Sequence, residues 1–166
     1  MSQESVDLAP TDDPRELDEQ SLQIWGGELG RAAIEADAFV CLYGPLGAGK
    51  STVVRAACRG MGVTGAITSP TFTLLIRHET PDGRPVWHAD LYRLDTPGLL
   101  VDAGWPELLE AEGPVFVEWA ERAADWLPAD RWDVELAFTM HPETRRVSIR
   151  SVGAAPPPPW PPEDPC

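Results

Sequence analysis

Residues 44–51 read Gly-Pro-Leu-Gly-Ala-Gly-Lys-Ser, a Gly-x4-Gly-Lys-Ser pattern that decides the fold of this chain. The residues immediately before it, Ala38–Tyr43, form a continuous apolar run with the length of a buried strand. Residues 50–59 then carry apolar side chains at helical spacing, and Gly60 ends that pattern. The sequence therefore predicts a buried parallel strand, a glycine-rich loop and a helix, in that order.

This order of elements is the one that a phosphate-binding loop, or P-loop, requires. Glycines in such a loop let backbone N–H groups turn inward around phosphates, and the following helix directs its positive end at the same anion. Lys50, the only lysine among thirteen basic residues, is placed to bridge the β- and γ-phosphates of ATP. Ser51 supplies a hydroxyl for Mg²⁺, which prefers oxygen ligands. The residues expected to bind the nucleotide here are Gly47, Ala48, Gly49, Lys50, Ser51 and Thr52.

A P-loop site also needs a carboxylate at the end of a neighbouring strand, to hold the hydration shell of Mg²⁺. Glu118 follows the apolar run 114–117 and has this setting. Asp90 also follows a β-rich segment and alternates with apolar neighbours, so it is a rival for the same role. The residue pattern leaves both carboxylates open as the one on the metal side.

The rest of the chain alternates helical and strand-like segments, which is typical of an α/β protein. Asp18 is a candidate N-cap for a helix with an apolar face, although Gly26 and Gly27 weaken it by roughly 1 kcal/mol each. We predict a three-layer P-loop NTPase-like fold with a mixed β-sheet flanked by helices. The further predicted elements are an antiparallel hairpin of Thr71–Arg77 and Val86–Leu91 around the turn 80–85, a helix at Trp105–Ala111, and strands at Asp133–Thr139 and Arg145–Arg150.

The two ends of the chain differ in composition from its middle. Residues 1–17 are acidic and contain two prolines, so we expect a disordered head. Residues 153–166 are rich in proline, which favours a flexible extended tail over packing; a ligand for a proline-binding module is the alternative. We expect residues 18–152 to form one domain, since a chain of 166 residues fits a single core.

Charge and hydropathy restrict the classes of partner. The formal net charge of −14 repels phosphodiester backbones, so direct and tight binding to nucleic acid is not expected. No apolar run approaches the roughly 20 residues that a membrane-spanning helix needs. The acidic N-terminal residues resemble neither a signal peptide nor a transit peptide, so we expect a cytoplasmic protein that does not bind membranes.

Four segments, taken in order, resemble the TsaE family of bacterial tRNA threonylcarbamoyladenosine synthesis. They cover roughly residues 18–150 of the chain. One motif alone is weak evidence, but the ordered set is specific. The matching segments are Gly44–Thr52, Ser69–Leu74, His88–Leu94 and Val117–Trp119.

The resemblance implies roles for individual residues. Glu118 resembles the magnesium-side carboxylate, while Thr71 and Asp90 resemble switch residues near the γ-phosphate and the attacking water. Arg146 is similar to a family arginine that approaches the nucleotide. Trp119 matches the tryptophan that follows the metal carboxylate, and either packing or a direct role fits it equally.

The resemblance also implies the activity and the partners. Such a protein hydrolyses ATP slowly with Mg²⁺ and cycles on a complex like that of TsaB and TsaD, which modifies tRNA. Its own contact with tRNA is then indirect, and the free chain is expected to be a monomer. The residues by themselves lead only as far as a P-loop nucleotide-binding protein.

Other classes of P-loop protein compete with this hypothesis. A small-molecule kinase usually carries a lid with arginine, and residues 95–104 contain none. A GTPase normally reads guanine through an Asn-Lys-x-Asp segment, and this chain has no asparagine and no second lysine. A nucleotide-sensing adaptor, for which hydrolysis is incidental, stays open.

Overall fold

The protein is built on one mixed sheet with helices on both faces. The computed structural model describes residues 13–68, 74–96 and 98–163. Within these ranges the helices are α1 (Glu19–Ala36), α2 (Lys50–Gly60), α3 (Gly98–Asp102) and α4 (Trp105–Glu110), with a kinked 3-10 helix at Ala120–Trp126. The strands are β1 (Arg15–Asp18), β2 (Phe39–Tyr43), β3 (Leu75–Glu79), β4 (Pro85–Asp90), β5 (Val115–Glu118), β6 (Arg131–Phe138) and β7 (Thr144–Val152).

The order of the strands places the predicted P-loop at the centre of the sheet. They lie in the order β1-β7-β6-β2-β5-β4-β3. The four inner strands β6, β2, β5 and β4 are parallel, whereas β1, β7 and β3 pair antiparallel at the two sides. The predicted α/β fold with a mixed sheet flanked by helices is therefore confirmed. No helix in the described part of the chain is long and apolar enough to cross a membrane.

Helix α1 begins where the sequence predicts. The Asp18 carboxylate accepts a hydrogen bond from the Ser21 backbone N–H at 2.7 Å, which satisfies one of the free N–H groups at the helix start. One face of the helix is buried against the sheet and α2. The large side chains on this buried face are Leu22, Trp25 and Leu29.

Helices α1 and α2 touch backbone to backbone through glycines. A Cβ atom built on Gly30 would lie 2.1 Å from the Ala57 carbonyl oxygen, and one on Gly26 would lie 2.7 Å from the Ala56 Cβ. Gly26 was predicted only as a weak point of the helix. In the structure, the absence of a side chain is what allows the two helices to pack closely.

The opposite face of the sheet is covered by α3, α4 and the 3-10 helix. Their buried side chains form a second core with β2, β4 and β5, which includes Leu91, Leu100 and Trp105. The Trp105 indole N–H donates to the Trp126 carbonyl oxygen at 3.0 Å and joins α4 to the end of the 3-10 helix. The predicted helix at Trp105–Ala111 is present. α3, with five residues, and the 3-10 helix, which is kinked at Ala123, keep no continuous helical period and were not predicted.

The predicted hairpin is also present. β3 and β4 pair antiparallel, and the turn between them is closed by a hydrogen bond from the Thr80 N–H to the Arg84 carbonyl at 2.9 Å. The observed strand β3 begins at Leu75. Residues 71–73 of the predicted strand lie outside the described residues.

The prediction of a disordered head is wrong for its last residues. Arg15–Leu17 belong to β1, which pairs with β7 at the edge of the sheet. The Leu17 side chain is 1% exposed and joins the core beneath α1. One buried leucine and the ladder hydrogen bonds of an edge strand therefore outweigh the acidic composition around them. Residues 1–12 of the predicted head lie outside the described residues.

The prediction of a flexible tail is wrong for residues 153–163. The Trp25 indole N–H donates to the Pro159 carbonyl at 3.0 Å, and the Trp132 indole N–H donates to the Pro156 carbonyl at 2.7 Å. The side chain of Pro158 is buried. An extended proline-rich segment has no internal hydrogen bonds, so its carbonyl groups are free to accept from these indoles. Residues 164–166 lie outside the described part.

Candidate nucleotide-binding site

The loop between β2 and α2 has the backbone of a phosphate-binding loop. Gly44 has a φ of 146°, and a Cβ there would lie 2.3 Å from the Leu136 carbonyl oxygen, so only glycine fits. Gly49 has a φ of 105° and stands at the start of α2, where no side chain caps the helix. The first N–H groups of α2 therefore meet no side-chain acceptor and can bind an anion.

The Lys50 side chain folds back over this loop. Its ammonium group donates hydrogen bonds to the carbonyl oxygens of Pro45, at 3.0 Å, and of Gly44. It also lies over the Trp119 ring, 3.9 Å from the ring centroid, and the residue is only 4% exposed. Burial lowers the pKa of Lys50, and nearby carboxylates, Glu118 first, raise it in part. The loop thus holds the one lysine ammonium where a nucleotide phosphate would replace the carbonyl oxygens.

Glu118 ends β5 beside the first turn of α2. Its Oε1 atom accepts a hydrogen bond from the Ser51 hydroxyl at 2.7 Å, and its Oε2 atom lies 2.7 Å from the His88 Nε2 atom. Glu118 is 2% exposed and His88 is 1% exposed. The structure therefore brings the two residues predicted to hold Mg²⁺ into direct contact.

Asp90 lies on the strand next to Glu118. The two residues are paired in the register of β4 and β5, so both carboxylates come out at the same end of parallel strands. The Tyr92 N–H donates to Asp90 Oδ1 at 3.0 Å. Burial raises the pKa of Asp90, and the Tyr92 hydrogen bond opposes that rise in part. A carboxylate in this environment is a stronger proton acceptor than one in water.

A cleft of about 290 Å³ lies beside the P-loop, and Lys50, Asp90 and Glu118 line it. Among its walls are the side chains of two aromatic residues, Tyr92 and Trp119, whose rings lie 4.9 Å apart. Trp119 has a φ of 58°, a left-handed conformation that is rare outside glycine. The contact with Lys50 places the Trp119 ring in the wall of the cleft, and both a packing role and a direct role stay open. The predicted site residues that the cleft brings together are Gly47, Gly49, Lys50, Ser51, Thr52, Asp90 and Glu118.

Ala48 and Arg146 are predicted site residues that do not line this cleft. Ala48 is buried within the loop itself. Thr71 lies outside the described residues. Arg146 is about half exposed, and its guanidinium lies 3.9 Å from Glu16 on the edge strand β1, away from the P-loop. Arg146 therefore lines neither cleft beside the P-loop, and its approach to a nucleotide stays a prediction.

Arg145, its neighbour in sequence, points to the P-loop instead. Its Nη2 atom lies 3.4 Å from the Gly47 carbonyl oxygen, and its guanidinium packs 5.0 Å from the centroid of the Phe138 ring. Successive side chains of a strand face opposite sides, so only one of the two arginines can reach the loop. A second cleft, of about 630 Å³, lies between Arg145, the P-loop and the start of α1, and Thr52 lines both clefts.

Sequence reasoning missed two residues at this site, His88 and Arg145. His88 alternates with Asp90 along one strand, which indicates that they share a face, but the contact with Glu118 depends on the pairing of β4 with β5. Arg145 was missed because the alternation of β7 cannot be assigned to a face before its partner strand is known.

The oxygen atoms of this cleft fit a hard divalent cation. Ser51 offers a hydroxyl and Glu118 a carboxylate, both ligand types that Mg²⁺ accepts. Within the described ranges no group of three or more His, Cys, Asp or Glu side chains could hold a metal ion by itself. A cation here would therefore take its other ligands from water and from nucleotide phosphates, which is usual for Mg²⁺.

Comparisons with known proteins identify the family of this chain. The model of the family described as "Threonylcarbamoyl adenosine biosynthesis protein TsaE" matches residues 17–147. Similar proteins include three that are each named tRNA threonylcarbamoyladenosine biosynthesis protein TsaE. The one from Treponema pallidum is 40% identical over 105 residues, which is 63% of this chain and 75% of that protein. The one from Bacillus subtilis is 34% identical over 68% of each chain. The one from Streptomyces coelicolor is 36% identical over 140 residues, which is 76% of this chain and 90% of that protein.

A solved structure shares the fold. The crystal structure of YdiB from Bacillus subtilis superposes with a TM-score of 0.66 over 86% of this chain and 88% of that chain, at 23% sequence identity. This likeness supports the arrangement of the sheet and helices. The chain belongs to the TsaE family of threonylcarbamoyl adenosine biosynthesis proteins.

Proposed function

We propose that the protein is a Mg²⁺-dependent ATPase that acts as an accessory protein of a TsaB–TsaD-like complex in tRNA threonylcarbamoyladenosine modification. The observation that supports this most strongly is the contact of the Ser51 hydroxyl with the Glu118 carboxylate at 2.7 Å, directly beside the buried Lys50 ammonium. A nucleoside triphosphate and its cation bind to groups of this kind: a hydroxyl, a carboxylate and an ammonium beside a glycine-rich loop.

The nucleotide is bound chiefly by the loop and by the start of α2. Backbone N–H groups of Gly47, Ala48 and Gly49 surround the phosphates, and Thr52 contacts the α-phosphate side. Lys50 exchanges its bonds with the Gly44 and Pro45 carbonyl oxygens for bonds with the β- and γ-phosphates. That exchange is favourable because an ammonium binds charged phosphate oxygens more strongly than neutral carbonyls.

Ser51 and Glu118 are the residues that hold Mg²⁺ in this proposal. When it is bound, the cation neutralises charge on the β- and γ-phosphates. Ser51 would offer its hydroxyl oxygen and Glu118 its carboxylate to the cation, both of which are ligand types that Mg²⁺ accepts. Burial of Glu118 at 2% exposure keeps bulk solvent from competing for its oxygens.

Hydrolysis needs a water molecule held in line with the γ-phosphate. Asp90 or Thr71 orients that water. Asp90 lines the cleft and has a raised pKa because of burial, which makes its carboxylate a better acceptor for a proton from water. We propose that the isolated protein turns over slowly and that its partner complex stimulates it.

The partners follow from the family and from the charge. The net charge of −14 disfavours a direct contact with tRNA, so the contact with RNA belongs to the partner complex. We propose that the free chain is a monomer in the cytoplasm and that it joins a TsaB–TsaD-like complex while nucleotide is bound.

Substitution of the lysine tests the nucleotide site. Lys50→Ala removes the cation from the phosphates and should weaken ATP binding about 10- to 100-fold, since hydrogen bonds to charged groups contribute about 1.5 to 3 kcal/mol. Phosphate release without an acceptor substrate should fall to background. Arg77→Ala, which removes an exposed cation from the hairpin, is the control and should match the wild type. Normal binding and hydrolysis by Lys50→Ala would contradict the site.

A cellular experiment tests the pathway. Deletion of the gene should abolish threonylcarbamoyladenosine in bulk tRNA, and a plasmid copy should restore it, whereas a Lys50→Ala copy should not. Normal modification in the deletion strain would remove the proposed role. A Glu118→Gln copy that retains ATP but supports full modification would instead favour the nucleotide-sensing adaptor.

A further inference from the structure

The second oxygen of Glu118 has a partner that the proposed mechanism does not use. His88 lies on β4, two residues before Asp90, so both side chains come out on the same face of the sheet. In the register of β4 and β5, Asp90 stands beside Glu118. The His88 Nε2 atom reaches across to Glu118 Oε2, at a distance of 2.7 Å.

The chemistry of this contact gives each group one role. An ionised carboxylate can only accept hydrogen bonds, so the His88 Nε2 atom carries the hydrogen and donates it. In neutral imidazole the Nδ1 atom then has a lone pair, and within the described residues no donor meets it. The contact with Glu118 is therefore the polar interaction that places this buried ring in the structure.

The contact with His88 fixes the oxygen of Glu118 that Ser51 does not bind. Without metal, Ser51 and His88 each bind one of its oxygens. A Ser51 hydroxyl that binds Mg²⁺ through an oxygen lone pair keeps its hydrogen and still donates it to Oε1. Two hydrogen bonds, one on each oxygen, therefore fix the rotation of the carboxylate, and His88 provides the one on Oε2 in a pocket with almost no solvent contact.

We propose that His88 is a positioning residue for the magnesium site: its Nε2–H holds the Glu118 carboxylate in the orientation that binds hydrated Mg²⁺. The inference rests on the proposed function, because it concerns the metal that the proposed ATPase needs. Residues that orient a metal-binding group in this way typically change metal affinity 10- to 100-fold when they are replaced.

Two polar substitutions separate this role from packing. His88→Gln keeps an N–H group at about the reach of Nε2, whereas His88→Asn keeps the amide but is too short to reach Glu118. His78→Asn is the matched control, because His78 lies on the neighbouring strand of the same hairpin and makes no hydrogen bond to Glu118. The full-length protein is titrated with ATP in EDTA, and its ATP complex is then titrated with Mg²⁺.

We expect His88→Asn to weaken Mg²⁺ binding about 10- to 100-fold while ATP affinity in EDTA stays at the wild-type value. His88→Gln should recover most of the Mg²⁺ affinity, and His78→Asn should lose none. Wild-type Mg²⁺ affinity in His88→Asn, or equal losses in the Asn and Gln variants, would overturn the proposal. If Mg²⁺ does not change the ATP affinity of the wild type, that result would instead contradict the proposed function itself.

A measurement on the unmodified protein covers the case in which His88→Asn does not fold. Imidazole ¹⁵N NMR reports which ring nitrogen carries the hydrogen. We expect the His88 Nε2–H signal of a hydrogen-bonded imidazole in the free protein and also with Mg·ATP bound. Its loss when Mg·ATP binds would show that the contact is not kept in the metal complex and would overturn the inference.

Discussion

At the scale of the residue, the choice between Arg145 and Arg146 shows how a site depends on which face of a strand a side chain takes. Arg145 contacts the Gly47 carbonyl oxygen, and Arg146 lies beside Glu16 on the other face of β7. The two residues are identical in chemistry and adjacent in sequence. Only the pairing of β7 with β6 and β1 decides which of them can meet a nucleotide.

The two arginines provide a matched test. Arg145→Ala should weaken ATP binding about tenfold, because it removes a cation from the cleft beside the P-loop, and hydrogen bonds to charged groups contribute about 1.5 to 3 kcal/mol. Arg146→Ala should change ATP affinity less than twofold, since the ion pair of Arg146 with Glu16 is exposed and contributes little free energy. Isothermal titration with Mg·ATP measures both. A larger loss for Arg146→Ala than for Arg145→Ala would reverse the assignment.

At the scale of the element, the contact between α1 and α2 places the helix that carries Lys50 against the helix that borders the second cleft. Glycines make this contact close, and the predicted cost of Gly26 and Gly27 to helix stability is outweighed at Gly26 by packing against Ala56. The low helix propensity of glycine describes its cost within α1. It does not include the contact with α2, which the propensity of a single helix cannot contain.

Two glycines of α1 should respond in opposite directions to the same substitution. Gly30→Ala places a Cβ 2.1 Å from the Ala57 carbonyl oxygen and should lower the free energy of unfolding by about 3 kcal/mol. Gly27→Ala meets its nearest atom at 3.6 Å, the end of the Arg31 side chain, and should raise that free energy by about 0.5 to 1 kcal/mol. Urea unfolding followed by circular dichroism measures both. Equal effects would show that the helices are not in backbone contact at Gly30.

At the scale of the whole molecule, both ends of the described chain are attached to the domain. β1 extends the sheet beside β7, and the proline-rich tail crosses back to accept hydrogen bonds from two buried indoles, Trp25 and Trp132. Trp25 lies on α1, the helix that starts at the edge of the second cleft. The tail therefore stabilises an element of the nucleotide site from the opposite end of the chain.

Removal of the tail should show how much it contributes to the stability of the fold. A chain that ends at Gly153 leaves both indole N–H groups without their acceptors and should lose about 2 to 4 kcal/mol of unfolding free energy. A chain that ends at Glu163 keeps every described contact and is the control. Urea unfolding by circular dichroism compares the two. Equal stability of both chains would mean that the contacts of the tail contribute nothing to the fold.

The amino-acid sequence by itself determined the features that depend on local pattern. The glycine loop, the strand before it and the helix after it were predicted because their chemistry lies within residues 38–60. The hairpin followed from its turn residues, and the position of Glu118 at the end of β5 followed from the apolar run before it. Each of these needs only neighbours in the chain.

Tertiary structure alone decided the features that depend on elements far apart in the chain. The contact of His88 with Glu118 needs β4 beside β5, and the place of Arg145 needs the register of β7. The packed tail needs two tryptophans that lie 24 and 134 residues from the carbonyl groups they bind. A local pattern carries no information about such pairs, because the two residues of a pair interact only after the fold brings them together.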